Sequence, residues 1–245
     1  MRVETWRGSA AELHALDPFQ AGPVDGPVVA ICAATAPAIV LGSRQTPDLL
    51  DLAACERAGL DVVRRRSGGG AVVVRPGEIV WIDVVLPHGV APDDVRGSMV
   101  WVGDRWIDAL GALTDRSTTR LERHDGGMVA TAWADLVCFA GFGPGEVLTA
   151  GRKLVGLSQR RTRHGLRIQC QVHRRARLAS MPALFGVPTP SEALTEPATL
   201  TDVGLGTDAD VDAERRVADR EIASALADAI ERRSGGNWGR MGGNG

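Results

Sequence analysis

Three consecutive glycines between two strand-like runs constrain the fold of this chain more than any other feature. The run from Leu60 to Arg66 is typical of a strand, Ser67-Gly68-Gly69-Gly70 follows directly, and residues 71–74 resume a strand-like pattern. Because glycine has no Cβ, the backbone here can approach a ligand closely and direct amide N–H groups at an anion. No Gly-Lys-Ser/Thr follows, so this is not a Walker loop. The run predicts either an anion-binding loop or a flexible hairpin with a solvated basic edge.

Strand-like and helical runs alternate unevenly along the rest of the chain. The strand-like runs come in pairs rather than in a regular βαβ series, which favours an α+β or mixed-sheet α/β fold. A long terminal helix has an acidic start and a basic end, as the helix dipole prefers. We expect strands over residues 28–33, 38–42, 60–66, 71–74, 79–86, 153–159 and 166–173, helices over 46–58, 92–113 and 208–233, and a disordered glycine-rich tail over 234–245.

The chain has 27 arginines but a single lysine, Lys153, in the glycine-flanked run Gly151-Arg152-Lys153-Leu154-Val155-Gly156. An arginine-rich composition is typical of coding bias in a GC-rich genome, so the surviving lysine can be a matter of chance. Arginine, however, cannot replace a compact ammonium group or a titrating amine. Lys153 is therefore the first candidate for a functional residue.

The four cysteines are far apart and include no Cys-x-x-Cys pair, which argues against a structural zinc site or a disulfide framework. Cys32, Cys55 and Cys170 lie in apolar contexts typical of small core residues. Cys138 differs, because it ends a strand-like run and opens a glycine-rich loop where a substrate could reach a nucleophile. An inert thiol is the alternative for Cys138.

Charge and hydropathy patterns narrow the class of protein. No stretch approaches 18 consecutive apolar residues and the N-terminus has no hydrophobic signal core, so we expect a cytoplasmic protein without membrane contact. Nine basic residues and no carboxylate between Arg152 and Arg177 predict a surface for a polyanion or an acidic protein. Nucleic acid is disfavoured, because this stretch lacks aromatic residues for stacking. His124, His164 and His173 show no metal-ligand spacing and are expected at the surface.

Two of these runs together resemble the principal motifs of the lipoate–protein ligase and octanoyltransferase superfamily. They are Arg65-Arg66-Ser67-Gly68-Gly69-Gly70-Ala71-Val72 and Gly151-Arg152-Lys153-Leu154-Val155-Gly156-Leu157-Ser158-Gln159-Arg160-Arg161. A third, weaker motif of the superfamily is similar to Gly42-Ser43-Arg44-Gln45. The motifs occur in the family's order and spacing, and the resemblance covers residues 25 to 175.

The resemblance implies a class II biotin synthetase-like catalytic domain over residues 1–233, with a mixed sheet flanked by helices. It implies an enzyme that attaches an octanoyl or lipoyl group to a lysine of a lipoyl domain, in a 2-oxoacid dehydrogenase or a glycine cleavage H-type protein. Such acceptor domains are acidic, which suits the basic stretch. Lys153 would contact the activated acyl group. The residues implied to bind the acyl group or a nucleotide are Arg66, Ser67, Gly68, Gly69, Gly70, Ala71, Gly151, Gly156, Ser158 and Gln159, with Gln45 as a secondary candidate.

Two chemistries compete within the superfamily. Ligases adenylate a free acid with ATP and Mg and need no cysteine, whereas octanoyltransferases need no cofactor and take the acyl group from acyl carrier protein through a cysteine thioester. One transferase branch resembles this chain in a Cys-Phe pair 15 residues before the lysine, the spacing of Cys138 and Lys153. We therefore expect an octanoyltransferase with Cys138 as nucleophile and no metal site. The alternatives are an ATP-dependent ligase and a non-catalytic acyl-binding or partner-binding module.

The chain departs from the family pattern at several positions. Ser67-Gly68-Gly69-Gly70 is closer to the ligase version of its motif. Val74-Arg75 stands where the family usually has His-Asp, and Glu78 where ligases commonly have Asn, which affects nucleotide and metal contacts. Cys170-Gln171 replaces the usual His-Gly after the lysine segment, so Cys170 is kept as a secondary nucleophile candidate.

Overall fold

A computed structural model describes residues 1–115, 117–206 and 213–233. In chain order these residues form β1 (Arg2–Gly8), α1 (Ala10–Ala15), β2 (Val28–Ala34), β3 (Ala38–Leu41), α2 (Leu52–Arg57), β4 (Asp61–Arg64), β5 (Val72–Val74), β6 (Ile79–Pro87), α3 (Val95–Leu113), β7 (Glu122–Arg123), β8 (Val147–Thr149), β9 (Arg152–Thr162), β10 (Gly165–His173) and α4 (Ala213–Arg233). Short 3-10 turns span Pro47–Leu49, Cys138–Ala140, Leu178–Leu184 and Thr201–Val203.

The strands form two sheets of mixed direction. The larger has seven strands in the order β1-β2-β6-β10-β9-β8-β7, and the smaller has three in the order β4-β3-β5. β1 runs parallel to β2, whereas β6 is antiparallel to both β2 and β10. In the small sheet β3 is parallel to β4 and antiparallel to β5. The prediction of an α+β fold with a mixed sheet is confirmed.

The central strand β6 is buried on both faces, which explains its almost continuous apolar sequence. Because side chains alternate along a strand, Val80, Ile82, Val84 and Leu86 face helices α3 and α4, where Trp106 is completely buried. Ile79 and Trp81 face the small sheet and the 138–140 turn on the other side. The candidate functional residues lie on this second face.

Most predicted elements are present with ends shifted by one to three residues. The single helix predicted over residues 46–58 is wrong in its first part, where a 3-10 turn ends at Leu49 and α2 begins after Asp51. The Asp51 carboxylate accepts a hydrogen bond from the Ala54 amide and so caps this new start. The predicted terminal helix agrees from Ala213 onward; residues 208–212 and the expected tail 234–245 lie outside the described residues.

Two N-terminal elements, β1 and α1, are present although neither was predicted. The capping box Ser9–Glu12 starts α1, with the Ser9 hydroxyl accepting from the Glu12 amide at 3.2 Å. None of the helices in the described part of the chain is long and apolar enough to cross a membrane.

Candidate active site

The glycine-rich segment is folded around a buried arginine that precedes it. Val63 in β4 points inward, and alternation along the chain turns Arg65 inward as well, leaving it only 4% exposed. Its Nη2 donates hydrogen bonds to the carbonyls of Gly68 at 2.8 Å and Gly70 at 2.9 Å, and Nη1 donates to Val40 at 3.3 Å. Gly69 has φ +100°, a conformation that favours glycine. Arg65 therefore fixes the shape of the loop.

The segment that carries Cys138 is held against the end of this loop. The Cys138 amide donates to the Ala71 carbonyl at 2.9 Å, and the Ala71 amide donates to Leu136 at 2.7 Å. Gly70 permits this approach, because a Cβ there would lie 2.8 Å from the Cys138 nitrogen. Gln45 supports the same segment from below, donating through Nε2 to the Asp135 carbonyl at 2.9 Å. Backbone hydrogen bonds thus join the glycine-rich segment to the Cys138 segment, which is far from it in sequence.

The thiol of Cys138 lies beside the Arg65 guanidinium. Its Sγ is 3.9 Å from Arg65 Nη2, and the side chain is half-buried, whereas the other three cysteines are buried. This contact places a positive charge beside the sulfur. The amides of Gly68, Gly69 and Gly70, in the loop beside Cys138, donate to no acceptor within the described ranges.

Lys153 is buried and points at the same segment. Its Nζ donates to the carbonyl of Cys138 at 2.8 Å, lies 2.9 Å from Glu146 Oε2, and sits 5.0 Å from the centre of the Phe139 ring. Glu146 also accepts from the amides of Gly143 at 2.8 Å and Leu157 at 3.0 Å. The structure therefore brings both predicted catalytic residues, Cys138 and Lys153, into one site.

A hydrogen-bond chain continues the site across the strands. The Ser67 hydroxyl lies 3.0 Å from that of Ser158 and donates to Gln169 at 3.1 Å, and Gln169 contacts His14 Nδ1 at 3.1 Å. Gly156 leaves room for Phe139, since a Cβ there would lie 2.8 Å from the ring. A small cavity of about 20 Å³ beside Cys138 is lined by three members of this hydrogen-bond chain, Ser158, Gln169 and His14.

Several predicted site residues lie elsewhere. Gly151, with φ +72°, forms the exposed turn between β8 and β9. Gln159 projects to the helix side and ties β9 to the start of α3 through Ser98 and Val95. The Arg66 side chain is 52% exposed and pairs with Asp17 at 3.5 Å.

Cys170 lies on the face of β10 that packs against the helices, the same face as Ile168 and Val172. Burial raises the pKa of its thiol, which disfavours the thiolate that a nucleophile requires. The structure therefore does not bring Cys170 to Cys138. This agrees with the inward orientation that its alternation predicted.

Sequence reasoning missed four residues of the site: Arg65, Glu146, Gln169 and His14. Arg65 could have been found by its alternation with Val63. Glu146 is a carboxylate at the start of a buried strand, seven residues from the only lysine, which is a weak signal without the fold.

The prediction that His173 is a surface residue is wrong. His173 is 5% exposed, packs edge-on against Phe139 with ring centres 4.5 Å apart, and has no partner for Nε2 among the described residues. Burial lowers its pKa to about 4, opposed by a backbone hydrogen bond with Arg175 and assisted by the Lys153 charge. His14 is also buried, and burial together with Arg65 and Arg167 lowers its pKa to about 3. Both histidines are therefore neutral at pH 7.

The basic stretch over residues 152–177, which predicted a surface for a polyanion or an acidic protein, is largely neutralised within the chain. Its cations find carboxylates from other parts of the chain, and Lys153 and Arg167 are buried. The pairs are Arg152–Asp202, Lys153–Glu146, Arg160–Asp17, Arg167–Asp83, Arg174–Asp219 and Arg177–Glu78. Within the described ranges, no group of three or more His, Cys, Asp or Glu side chains is arranged to hold a metal ion.

Solved structures share this fold at low sequence identity. The bipartite lipoate-protein ligase of Thermoplasma acidophilum, studied with its E2 lipoyl domain, matches with TM-score 0.63 and 17% identity, over 98% of this chain and 92% of its own. A lipoate-protein ligase A bound with ATP matches with TM-score 0.61 and 15% identity, over 98% and 94%. Plasmodium falciparum LipL1 in complex with lipoate matches with TM-score 0.61 and 11% identity, over 96% and 62%.

A search of curated protein sequences finds no significant match. The family model for the lipoyl protein ligase A/B catalytic domain, by contrast, matches residues 16–201, a range that contains both sequence motifs and every residue of the site except His14. The chain belongs to the lipoyl protein ligase A/B catalytic domain family, whose members are enzymes of protein lipoylation.

Proposed function

We propose that this enzyme is an octanoyltransferase that works through a thioester on Cys138. The observation that carries the proposal is the pairing of two cations with one cysteine. Arg65 lies 3.9 Å from the sulfur, and Lys153 donates to the carbonyl of the same residue. A ligase that transfers an acyl group from an adenylate has no use for a half-buried thiol at this position.

The first half-reaction loads the enzyme. The Cys138 sulfur attacks the carbonyl of the donor thioester, a new S–C bond forms, and the donor's C–S bond breaks while its sulfur leaves as a thiol with the Cys138 proton. Arg65 stabilises the attacking thiolate, and the unused amides of Gly68 to Gly70 donate to the oxyanion of the intermediate.

The second half-reaction transfers the acyl group from Cys138 to the acceptor. An amine of the acceptor lysine attacks the acyl carbonyl, the amide C–N bond forms, the Cys138 C–S bond breaks, and a proton from the amine returns to the sulfur. Lys153 holds the acyl carbonyl through its ammonium group. The acceptor in this proposal is a lipoyl domain of a 2-oxoacid dehydrogenase or a glycine cleavage H-type protein, and the similar fold of a ligase studied with its E2 lipoyl domain supports it.

Intact mass tests the proposal directly. The protein is incubated with octanoyl-acyl carrier protein without ATP, and we expect one octanoyl adduct that passes to a lipoyl domain when this is added. Cys138→Ala abolishes the adduct. The matched control is Cys55→Ala, which removes a buried cysteine from α2 and keeps the adduct. An adduct that persists in Cys138→Ala refutes the proposal.

The second candidate is an ATP-dependent lipoate–protein ligase. It is supported by the fold shared with a ligase bound with ATP and by the Ser67 hydroxyl facing Ser158. In this case Lys153 and the Arg65–Gly70 loop would hold the acyl phosphate. ATP-dependent modification of a lipoyl domain by free lipoate, with full activity in Cys138→Ala, would establish it over the transferase.

A further inference from the structure

A second, larger cavity adjoins the site and has no role in the chemistry above. It has a volume of about 410 Å³ and shares the side chains of Val72 and Phe139 with the small cavity beside Cys138. Its floor is apolar, formed by the Leu178–Leu184 turn and by Ala54 and Ala58 of α2. Val72 and Phe139 line both cavities, whereas Cys138 lines only the small one.

The mouth of the cavity is positively charged. Arg57, Arg75, Arg175 and Arg177 line it, together with a single carboxylate, Glu78. Glu78 is already paired with Arg177 at 2.9 Å. Arg75 and Arg175 have no acidic partner among the residues described. The mouth therefore suits an anionic group, because guanidinium groups bind phosphate oxygens with charge-assisted hydrogen bonds.

A buried polar atom lies deeper in the cavity. His173 belongs to the lining, and its Nε2 is buried without a partner in the described chain. Buried polar atoms in folded proteins nearly always have a hydrogen-bond partner. A polar group of a ligand in this cavity, between the arginines and Phe139, can supply the partner that His173 lacks.

We propose that this cavity binds the phosphorylated pantetheine arm of the acyl-thioester donor, an inference that rests on the proposed function for the identity of the donor. The phosphate lies against Arg75 and Arg175, an amide of the arm meets His173 Nε2, and the thioester reaches Cys138 past Phe139. Arg75 comes three residues after Val72 and directly follows β5, which corresponds to about 10 Å of extended chain, and the arginine side chain adds to this reach. An extended arm fits that path.

A nucleotide fits the same cavity less well. The only carboxylate in the lining is the ion-paired Glu78, so a magnesium ion would lack the free carboxylate ligand that it prefers. The aromatic rings present, Phe139 and His173, pack edge-on at 81° and Lys153 lies over Phe139, which leaves no flat platform for a base.

Calorimetry on the full chain tests the site without any acyl transfer, with 4′-phosphopantetheine and unphosphorylated pantetheine as the probes. We expect the phosphorylated arm to bind at least about tenfold more tightly. In the variant Arg75→Gln/Arg175→Gln this advantage falls below about twofold. Arg163→Gln, which removes an exposed arginine from the β9–β10 turn, keeps the full advantage.

The outcomes separate this inference from the proposed function. Arginine-dependent binding of the arm without an octanoyl adduct on Cys138 refutes the transferase and supports the site. An adduct from octanoyl-acyl carrier protein, with equal binding of the two probes, supports the transferase and overturns the site. Binding of ATP that displaces 4′-phosphopantetheine and is lost in the double variant also overturns it, because the cavity is then a nucleotide site.

Discussion

Two buried ion pairs on the same face of the large sheet differ in what surrounds them. In the first, Arg167 donates through Nε to Asp83 at 2.6 Å and through Nη2 to the Leu13 carbonyl at 2.8 Å, while the Trp81 indole donates to Asp83. In the second, Lys153 bridges Glu146 and the carbonyl of Cys138. Each pair is accompanied by a buried neutral histidine, His14 or His173.

The difference is in the cation. Arginine presents a rigid fork of donors, and Arg167 uses it to fasten α1 to the sheet at fixed positions. Lysine is a compact point charge whose three donors can rotate, and Lys153 is aimed at the residue proposed to react. We infer that the first pair maintains the architecture and the second serves the chemistry.

The largest effect is expected from breaking the architectural pair. Arg167→Met leaves Asp83 buried without its partner and should lower the free energy of unfolding by about 3–5 kcal/mol, measured by urea denaturation. Adding Asp83→Leu to this variant should restore part of the loss, because the unpaired charge is removed. A single substitution that costs less than 1 kcal/mol would show that Arg167 does not hold the fold together.

Acid should reveal the two histidines beside the pairs. Their pKa values in the folded protein, about 4 for His173 and about 3 for His14, lie below the ordinary value of 6.5. The unfolded chain therefore takes up their protons first as the pH falls. Stability is complete above pH 6.5 and is lost as the pH falls toward 4, by on the order of 3 kcal/mol for His173.

Urea denaturation between pH 7 and pH 4 measures this loss, and His173→Asn should reduce its slope whatever the variant's stability at pH 7. An unchanged slope would contradict the assignment of a neutral buried His173.

The Lys153–Glu146 pair, proposed to serve the chemistry, is tested by changing the type of cation. Lys153→Arg keeps the charge but cannot reproduce the compact ammonium group, so octanoyl transfer should fall about 100-fold. The control Arg152→Lys makes the reverse exchange at the next position, where the side chain pairs with Asp202, and should retain activity within about twofold. Full activity in Lys153→Arg would show that the site does not require an ammonium group and that the single lysine reflects coding bias alone.

A smaller effect is expected from a substitution of Glu146, the ion-pair partner of Lys153. Glu146→Gln keeps only one of the two oxygens that accept separately from the Gly143 and Leu157 amides, and it no longer fixes the ammonium by charge, so kcat should fall about tenfold with KM for the lipoyl domain unchanged. Combined with Lys153→Arg, it should add little, because both substitutions disturb one interaction. Independent, multiplying losses would separate Glu146 from the function of Lys153.

The elements that sequence predicts well are those whose pattern is set by burial alone. β6 is apolar along its whole length because both faces are covered, and α3 repeats its apolar residues at helical spacing. β1 cannot be predicted from a burial pattern, because its residues are partly exposed and this edge strand forms by pairing with the backbone of β2. The start of α2, which Asp51 caps, was predicted too early, because apolar residues recur at a similar spacing in a 3-10 turn and in an α-helix.

In the site, composition and local pattern indicate Lys153, Cys138 and the glycine loop, but not how they meet. The pairing of Ala71 with Val137 joins distant parts of the chain, and no spacing encodes it. The Lys153–Glu146 pair depends on the strand pairing that brings both side chains inward. Of the three arginines before the glycines, only Arg65 points inward, which follows from alternation once β4 is placed.

The burial of Lys153 has a consequence for the proposed thioester chemistry. Every other cationic side chain here is a guanidinium, which resists acylation, and the one ε-amine in the sequence is 4% exposed and held between a carboxylate and a carbonyl. In the proposed reaction, an acyl group on Cys138 therefore meets no competing lysine on the surface of this chain. The same feature makes the chain a poor target for amine-directed labelling, so that a lysine introduced at a chosen surface position would be the single side-chain site for attaching a probe.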